Sequence, residues 1–551
     1  YIQIIFSRVN RKFMQKSVLV SIFLLISIDL IKAQVDVPGD LENEYFQLLA
    51  LKNQQVNHLG YGLTIDPFFD SLEWSLWDRF QSRINVTEGL TLLDLGFKTH
   101  INTAYPRGYN DGPSWRGRGL TQEVNVGLRL KKNRFSLTFL PNIFYSQNAS
   151  FELAPQIKKD VSPFSYQFAN KASVSYRTDW VQRYGDKAFV NFHLGQSELR
   201  YQDSIFTVGL GTQNLKLGPA NINPIILSRN AGGFPSLDLG TAQPLPLHFK
   251  NRDLGAFETK IIFGQLSESN YFDNFPENNK LFFTGMTVGY SPPFLPNLVL
   301  GFNKVLYKQS KYFTPPDLAA LFWVFDQGIM IDSVLTKDSF DQMASLFVDW
   351  KFEEADLRIY FEWAKNDFSG DFIRIITEPE HSRAYTLGLE KAFDLPKEKV
   401  LYFMMEHSNL VRNQSWSYRA NPPYYQHIIV DQGYTHQGQV LGAGIGGGSM
   451  SQFLGLNLYD QKSLLGIDFQ AIRFDDDYFL EMDHGSGQKE LYNRHQNEFS
   501  LGLKYQRRFQ KGAIGAKMIN SFYMNRYYIL DNNEYNLSLN IQAKYFLHQS
   551  R

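Results

Sequence analysis

The sequence predicts an all-β protein, a large antiparallel transmembrane β-barrel that follows a small helical segment. Three observations lead to this prediction: strands with one apolar and one polar face, charges confined to the polar face, and short turns that alternate with long connections. The mean hydropathy of -0.30 excludes a bundle of membrane helices, which needs apolar runs of about 20 residues. It permits a membrane barrel, because only alternate residues of a barrel strand meet lipid.

Composition narrows the class of protein further. A chain of 551 residues is too long for one compact soluble core but has the length of a large barrel. Phe and Tyr number 46 and 30, enough for aromatic girdles at two membrane interfaces. The formal net charge of +0 gives no sign of a nucleic-acid partner, and a chain with 0 Cys has no disulfide and no thiolate metal site. We expect no cofactor and no metal.

Residues 1–33 are predicted to be a signal peptide. Lys16 gives a short basic start, residues 17–28 form an apolar core, and Ala33 stands at the small-residue position of a cleavage site. The residues before Met14 are interpreted as an upstream extension of the reading frame, and a membrane anchor is the alternative to cleavage. Export would place the mature chain in the periplasm, the outer membrane or beyond.

Residues 34–90 are predicted to be a small, partly helical, periplasmic segment. Apolar residues recur at helical spacing over 41–53 and again over 71–83. The barrel is predicted to occupy residues 91–551, where the period of the apolar pattern changes to two.

The last predicted strand, 535–546, shows the pattern best, because its apolar face carries an aromatic residue at each end. Two predicted hairpins with tight turns, 124–139 and 346–363, repeat it. A charge that faces lipid at mid-membrane costs about 2–4 kcal/mol. All charges of the strands considered lie instead on the opposite face, which we interpret as a lumen: Glu123, Arg129, Asp349, Lys351, Arg358, Glu362, Lys504 and Lys544. A soluble multi-sheet protein is the alternative.

Long connections without alternation separate the predicted hairpins. They are residues 211–280, 309–343, 366–382, 407–438 and 475–498. Short turns at one rim and long loops at the other are typical of outer-membrane barrels. Loops of this length tend to be functional, so we expect them to be extracellular or to plug the lumen.

Four groups of short motifs follow one another in a fixed order along the chain. In chain order they are Asn110-Asp111-Gly112 with residues 115–119; Gly211-Thr212-Gln213 with Gly218-Pro219, residues 228–231 and Phe234-Pro235; Gly285-Met286 with Pro293 and residues 298–301; and Tyr434-Thr435-His436 with Gly438 and Leu441-Gly442. These motifs in this order resemble the capsule assembly Wzi family of outer-membrane proteins. The resemblance spans most of the chain, from about Leu41 to the last strand. Leu217 departs from the Trp that the family often has before the Gly-Pro pair, which removes the basis for a stacking role there.

The resemblance implies a barrel of about 18 strands, blocked by its own loops, in the outer membrane of a Gram-negative bacterium. The implied function is to bind surface polysaccharide and help assemble or anchor capsule, without enzymatic activity. The predicted partners are capsular or other surface polysaccharide, outer-membrane lipid, and the barrel-assembly machinery during insertion. A porin or solute channel, motivated by the polar luminal face, is the alternative, and a structural or secretion-associated barrel is a third hypothesis.

The predicted loop 211–249 carries the first candidate polysaccharide contacts. Asn223, Arg229 and Asn230 can hydrogen-bond sugar hydroxyls, while Phe234 can stack on a sugar face. The alternative is a loop that plugs the lumen and satisfies its own polar groups.

Two further groups are candidates. Arg116 and Arg118 lie in an aromatic-rich stretch and can pair with acidic sugar carboxylates; the alternative is pairing with luminal Asp or Glu. The third group consists of aromatic and imidazole side chains that can stack on sugars or, alternatively, pack a loop: Tyr424, Tyr425, His427, Tyr434 and His436.

Other motifs are assigned structural roles. Glycines in residues 442–447 have dinucleotide-binding spacing, but no βαβ unit surrounds them, so close packing against a plug is the better interpretation. Three aspartates at 475–477 can bind Ca²⁺, although a solvated loop is favoured. No nucleophile-elbow or zinc spacing occurs, so we predict no enzyme; a lipid hydrolase is the remaining enzymatic alternative.

Overall fold

A computed structural model describes twelve stretches of the chain: residues 37–53, 58–62, 74–77, 88–157, 159–169, 177–273, 275–295, 297–322, 340–366, 376–413, 423–479 and 493–547. The predicted signal peptide, 1–33, lies outside them. Within these stretches, no helix combines the length and apolarity that a membrane crossing requires.

The strands follow one another along the chain with one helix before them. The helix α1 is Asn43–Lys52. The strands are β1 (Tyr61–Gly62), β2 (Gly89–Leu92), β3 (Leu95–Asn102), β4 (Gly119–Asn125), β5 (Leu128–Lys132), β6 (Phe135–Phe139), β7 (Asn142–Ser146), β8 (Phe189–His193), β9 (Glu198–Gln202), β10 (Phe206–Gly211), β11 (Lys216–Leu217), β12 (Ser236–Thr241), β13 (Leu245–Phe249), β14 (Arg252–Ser267), β15 (Lys280–Ser291), β16 (Leu298–Gln309), β17 (Asp341–Phe352), β18 (Leu357–Asn366), β19 (Arg383–Leu395), β20 (Lys399–Asn409), β21 (Thr435–His436), β22 (Gln439–Val440), β23 (Met450–Tyr459), β24 (Ser463–Phe474), β25 (Gln496–Phe509), β26 (Gly512–Met524) and β27 (Glu534–Tyr545). Short 3₁₀ helices are Gln167–Ala169, Ser310–Tyr312, Pro315–Leu321, Glu353–Ala355 and Arg526–Tyr528.

In the described chain, 23 of these strands form one closed antiparallel barrel, which confirms the predicted fold class. Some long strands of the wall are interrupted, so that two consecutive strands lie end to end and together occupy one place in the wall. There are five such pairs: β2/β3, β4/β5, β6/β7, β8/β9 and β12/β13. The 23 strands therefore make 18 wall positions, the number that the family resemblance implies. The last strand β27 pairs with β3 and closes the wall.

Side chains of the wall alternate between lipid and lumen. On β27, Tyr535 points outward and is 70% exposed, and Ile541 also points outward, whereas Asn536 and Ser538 are buried inside. The lipid-facing and luminal faces predicted for this strand are therefore confirmed.

The charges predicted to face the lumen do so, and five of the eight, Glu123, Asp349, Arg358, Lys504 and Lys544, are in ion pairs. Lys98 Nζ lies 3.1 Å from Glu123 Oε1, and Arg358 Nη2 lies 2.7 Å from Asp349 Oδ2. Lys504 pairs with a carboxylate of the neighbouring strand in the same way. Pairing makes these charges tolerable inside a barrel wall, since an unpaired buried charge is costly.

The two rims of the barrel differ in the length of their connections. One, the short-turn rim, carries residues 133–134, 203–205, 250–251, 292–297, 353–356, 396–398, 460–462 and 510–511. The other, the long-loop rim, carries longer connections, of which the structure describes residues 103–118, 147–157, 159–169, 177–188, 212–235, 268–273, 275–279, 310–322, 340, 376–382, 410–413, 423–449, 475–479, 493–495 and 525–533. The predicted asymmetry of the rims is confirmed.

The predicted long connection at 211–280 is wrong beyond residue 235, because the wall continues there as β12, β13 and β14. The alternation of β14 is hidden in the sequence, since the luminal positions Ile262 and Leu266 are apolar. Both are fully buried against loops that fill the lumen.

The segment before the barrel lies at the short-turn rim. Helix α1 confirms the first predicted helix, and Lys52 at its end lies 2.7 Å from Asp356 in a short turn and 2.9 Å from Asp394 near the end of β19. The four described residues of the second predicted helix, 74–77, contain no helix. The wall begins at Gly89, two residues before the predicted boundary at 91.

Candidate functional site

Two long connections turn inward and fill the lumen. Residues 212–235 and 423–449, called the plug from here on, share one apolar core with the wall. The plug contributes Leu215, Leu217, Ile225, Ile226, Leu227, Ala231, Phe234, Tyr424, Tyr425, Val430, Tyr434, Val440, Leu441, Ala443 and Ile445. Wall residues from β14 round to β24 pack against it, so the core reaches across the barrel.

One buried glutamate of the wall holds the tip of the plug. Glu406 on β20 accepts hydrogen bonds from the backbone N–H groups of Asn221, Ile222 and Asn223, at 2.8, 3.0 and 2.6 Å. The hydroxyl of Tyr360 donates to the same carboxylate at 2.7 Å. Charge-assisted bonds of this kind are about twice as strong as neutral ones, so Glu406 is a strong anchor for the plug.

Tyr425 ties the two halves of the plug together. Its hydroxyl donates to the carbonyl of Ile225 at 2.7 Å and accepts from the N–H of Ala443 at 2.9 Å. A Cβ at Gly442 would lie 2.4 Å from the Ile225 carbonyl, so only glycine fits at this crossing. Such close approach is what the glycines of 442–447 were expected to allow.

The predicted aromatic contacts of the plug lie in its core. Tyr424 and Tyr434 are fully buried, and the Phe234 ring packs 5.1 Å from that of Phe283. This placement favours the packing alternative for these rings; sugar contact by Tyr424, Tyr425, Tyr434 or Phe234 stays a prediction.

The two predicted histidines also act in packing. His436 Nδ1 accepts the N–H of Ser267 at 3.1 Å, and burial, with the nearby His193, lowers the pKa of His436 to about 3. His427 Nδ1 accepts the N–H groups of Ile429 and Val430. Both rings therefore accept hydrogen bonds from the backbone.

The two predicted arginines are bound by the protein itself. Arg116 Nη2 lies 2.6 Å from Asp111 Oδ1, and burial raises the pKa of Asp111 to about 6 against the opposing effect of Arg116. Arg118 donates to the backbone carbonyls of Thr103 and Ser150.

Between the plug and the N-terminal segment lies a cavity of about 450 Å³, called the chamber. Its wall carries both signs of charge, including Lys216, Arg229, Arg358, Asp349, Glu390 and Asp468. Burial, with Arg358 and Arg229 nearby, lowers the pKa of Lys216 to about 8. Of the predicted site residues, Arg116, Asn223 and Arg229 line this chamber.

Acidic residues fix the N-terminal segment under the chamber. Asp40 pairs with Lys98 at 2.8 Å and Lys544 at 3.0 Å. Glu42 pairs with Arg508 and with Lys544, and Glu44 lies 2.6 Å from Lys504. Burial alone would raise the pKa of Glu42, but the two cations outweigh it and lower that pKa to about 2.

A second cavity, of about 180 Å³, lies among the long loops and is called the aromatic pocket. Rings from six separate parts of the chain line it: Tyr105, Tyr109, Trp115, Phe151, Tyr166, Trp180, Phe474, Tyr523 and Tyr527. Arg116 and Asn230 are the predicted site residues that reach it, and Asn230 Nδ2 donates to the Val440 carbonyl at 3.0 Å.

The charged groups of the pocket are arranged around its rings. Arg107 Nε lies 2.8 Å from Glu498 Oε1, and the hydroxyl of Tyr105 donates to the other oxygen at 3.2 Å. The Arg526 guanidinium lies 5.1 Å from the centre of the Tyr105 ring and pairs with Glu534. Tyr105 and Arg107 lie in the aromatic-rich stretch 105–115 that precedes Arg116. Glu498, Arg526 and Glu534 were missed in the sequence, where the Arg526-Tyr527-Tyr528 run was the available signal.

Two of the three aspartates at 475–477 are paired with basic side chains. Asp476 pairs with Arg473 and lies 2.8 Å from His495 Nδ1, while Asp477 lies 3.3 Å from Arg412. Across the twelve described stretches, no cluster of three His, Cys, Asp or Glu side chains is placed to hold a metal ion.

Comparison with known proteins agrees with this architecture. The family described as capsule assembly protein Wzi matches residues 103–510. Among solved structures, Wzi, an outer-membrane protein involved in group 1 capsule assembly in Escherichia coli and described as a carbohydrate-binding β-barrel, superposes with a TM-score of 0.55 at 14% identity, covering 82% of this chain and 84% of that one. The outer-membrane protein OprD of Pseudomonas aeruginosa gives a TM-score of 0.38 at 10% identity, covering 84% and 95%. No curated protein matches the chain in sequence.

The fold and the family give the location of the chain. A barrel with an apolar outer belt, short turns at one rim and long loops at the other is an outer-membrane barrel of a Gram-negative bacterium. The family match covers most of the chain and includes the wall from β4 to β25, the plug and part of the aromatic pocket. The chain belongs to the capsule assembly protein Wzi family.

Proposed function

We propose that this protein binds surface polysaccharide at its long-loop rim and helps assemble or anchor capsule, without enzymatic activity. The observation that carries the proposal is an aromatic-lined pocket among the long loops, above a lumen filled by the plug. Pockets that combine apolar walls with a few placed polar groups are typical ligand sites. The carbohydrate binding described for the E. coli barrel of the same fold supports the proposal.

A porin or solute channel is the weaker alternative. Diffusion through a barrel needs a continuous aqueous path, and the plug core packs against wall strands from β14 round to β24. The N-terminal segment adds a second obstruction at the short-turn rim.

The remaining partners follow from the two rims and the belt. We place the N-terminal segment in the periplasm, since it packs at the short-turn rim. The apolar belt contacts outer-membrane lipid, and the barrel-assembly machinery inserts the chain. The formal net charge of +0 gives no basis for a nucleic-acid partner.

Two measurements on the purified full chain test the proposal. Capsular polysaccharide isolated from the source organism should bind the detergent-solubilised protein in a pull-down. The same preparation in planar bilayers should show no steady open-channel steps. Steady steps without polysaccharide binding would favour the channel, and a deletion strain that keeps all its surface polysaccharide would contradict a role in capsule.

A further inference from the structure

We infer that the aromatic pocket takes one neutral pyranose unit of the polysaccharide, in preference to an acidic sugar. The inference rests on the proposed function and names the ligand class of its site. It differs from the sequence-based expectation, in which Arg116 and Arg118 pair with sugar carboxylates.

The size and the rings of the pocket suit a single sugar ring. A cavity of about 180 Å³ has the volume of about six waters at ~30 Å³ each, which is space for a pyranose ring. Tyr109, Trp115 and Trp180 line it and are only half-buried, so parts of their faces are open to the cavity. A pyranose offers an apolar C–H face to such rings while its hydroxyls remain free for hydrogen bonds.

The charges of the pocket are already neutralised in pairs. Arg107 is held by Glu498, Arg116 by Asp111 and Arg526 by Glu534. An acidic sugar would have to displace one of these carboxylates, two of which are buried, and would leave an uncompensated negative charge behind. A neutral sugar leaves all three pairs intact.

A neutral polar group is placed to receive a hydroxyl. Gln439 lines the pocket with a half-buried side chain, and its amide makes no hydrogen bond to the part of the chain that the structure describes. An amide both donates and accepts, so it suits a hydroxyl, which does the same, better than a carboxylate, which only accepts.

Matched sugar pairs give the first test. Tryptophan fluorescence of the full chain in detergent, which reports Trp115 and Trp180, is titrated with D-glucose, D-galactose and D-mannose and with the uronate of each. At least one neutral sugar should bind about tenfold more tightly than its uronate, with little dependence on salt. Equal or tighter binding of every uronate, or saturation by none of the neutral sugars, would overturn the inference.

Variants give the second test and locate the site. Tyr109→Leu and Gln439→Leu should each weaken binding of the neutral sugar about tenfold, while Phe294→Leu, at a side chain 77% exposed in a short turn, should not. Heat-modifiable gel migration confirms that each variant is a folded barrel. If both pocket variants bind the neutral sugar and the capsular polysaccharide as the parent does, the inference fails and the proposed function stands; if the parent binds no polysaccharide, the proposed function itself fails.

Discussion

The plug and the N-terminal segment block the same lumen from opposite ends, with different forces. The plug is fixed by a large apolar core and by backbone N–H groups that point at the carboxylate of Glu406. The first residues of the N-terminal segment are fixed by ion pairs from Asp40, Glu42 and Glu44, although α1 also packs rings such as Tyr45 against the wall. Apolar packing responds little to pH and salt, whereas ion pairs respond to both. The N-terminal segment is therefore the obstruction that changes in pH and salt can loosen.

Removing the anchor of the plug should have the largest effect. Glu406→Ala leaves the buried N–H of Asn223 and the part-buried N–H groups of Asn221 and Ile222 without their charged acceptor, and a hydrogen bond to a charged group contributes about 1.5–3 kcal/mol. We expect the attachment of the plug tip to weaken by about 4 kcal/mol or more. Planar-bilayer recordings should then show open steps that the parent protein lacks.

The matched change Glu406→Gln keeps one acceptor oxygen and should give smaller and briefer openings than Glu406→Ala. A closed barrel for both variants would show that Glu406 is not needed to keep the lumen shut, and that the apolar core and the N-terminal segment are sufficient.

Acid should loosen the N-terminal segment by about 3 kcal/mol. The pKa of Glu42 falls from 4.5 to about 2 on folding, and each unit is worth about 1.36 kcal/mol. Since the pKa is lowered, this stability is fully present above pH 4.5 and is lost as the pH falls toward 2. Hydrogen exchange of residues 37–44, corrected for its intrinsic pH dependence, should rise across that window.

The variant Glu42→Gln is the control for the acid effect, because it removes the titrating group and should remove the transition. An unchanged transition in Glu42→Gln would assign the acid response to another group and break the contrast between the two obstructions.

Removing the hydroxyl group from each of two plug tyrosines should change the free energy of unfolding by amounts that differ by about 2 kcal/mol. Tyr425→Phe removes two buried hydrogen bonds, to Ile225 and Ala443. The hydroxyl of Tyr434 is buried with no hydrogen-bond partner among the described residues, so Tyr434→Phe should be neutral or slightly stabilising. Denaturant unfolding of both variants in lipid vesicles measures the difference, and equal stabilities would contradict the assignment of Tyr425 as the tie.

The smallest effect is expected at the edge of the N-terminal segment. Lys52 pairs with Asp356 and with Asp394, and the Asp394 side chain is 66% exposed. Lys52→Met should cost about 0.5 kcal/mol at low salt and nothing measurable at high salt. A larger, salt-independent loss in chemical denaturation would show that packing of Lys52, and not its charge, holds this end.

The wall was predictable where lipid and water dictate the pattern. On β27, every second side chain meets lipid, so apolar and polar residues alternate visibly in the sequence. On β14, the plug replaces water on the luminal side, and Ile262 and Leu266 are apolar there. The alternation therefore disappears in the strands that face the plug, and 236–267 was mistaken for a loop.

The site was less predictable than the wall, because its parts are distant in sequence. Phe234 looks like an exposed aromatic of a loop, yet its neighbours Phe283 and His436 arrive from other elements. The aromatic pocket combines residues such as Tyr105, Trp180 and Tyr523, which only the closed barrel brings together. A single sequence shows which residue types occur in the loops but not which of them meet.

The seam of the barrel, where β27 pairs with β3, determines the order in which the parts of the protein assemble. Asn102 and Ser538, which face each other across it, are 436 residues apart, so this pairing forms only when the whole wall is in place. Asp40 reaches Lys98 on the first side of the seam and Lys544 on the other. The N-terminal segment can complete its docking only after closure, although it is made first. Pulse-labelling hydrogen exchange during refolding should protect residues 37–44 last, as the final step of assembly.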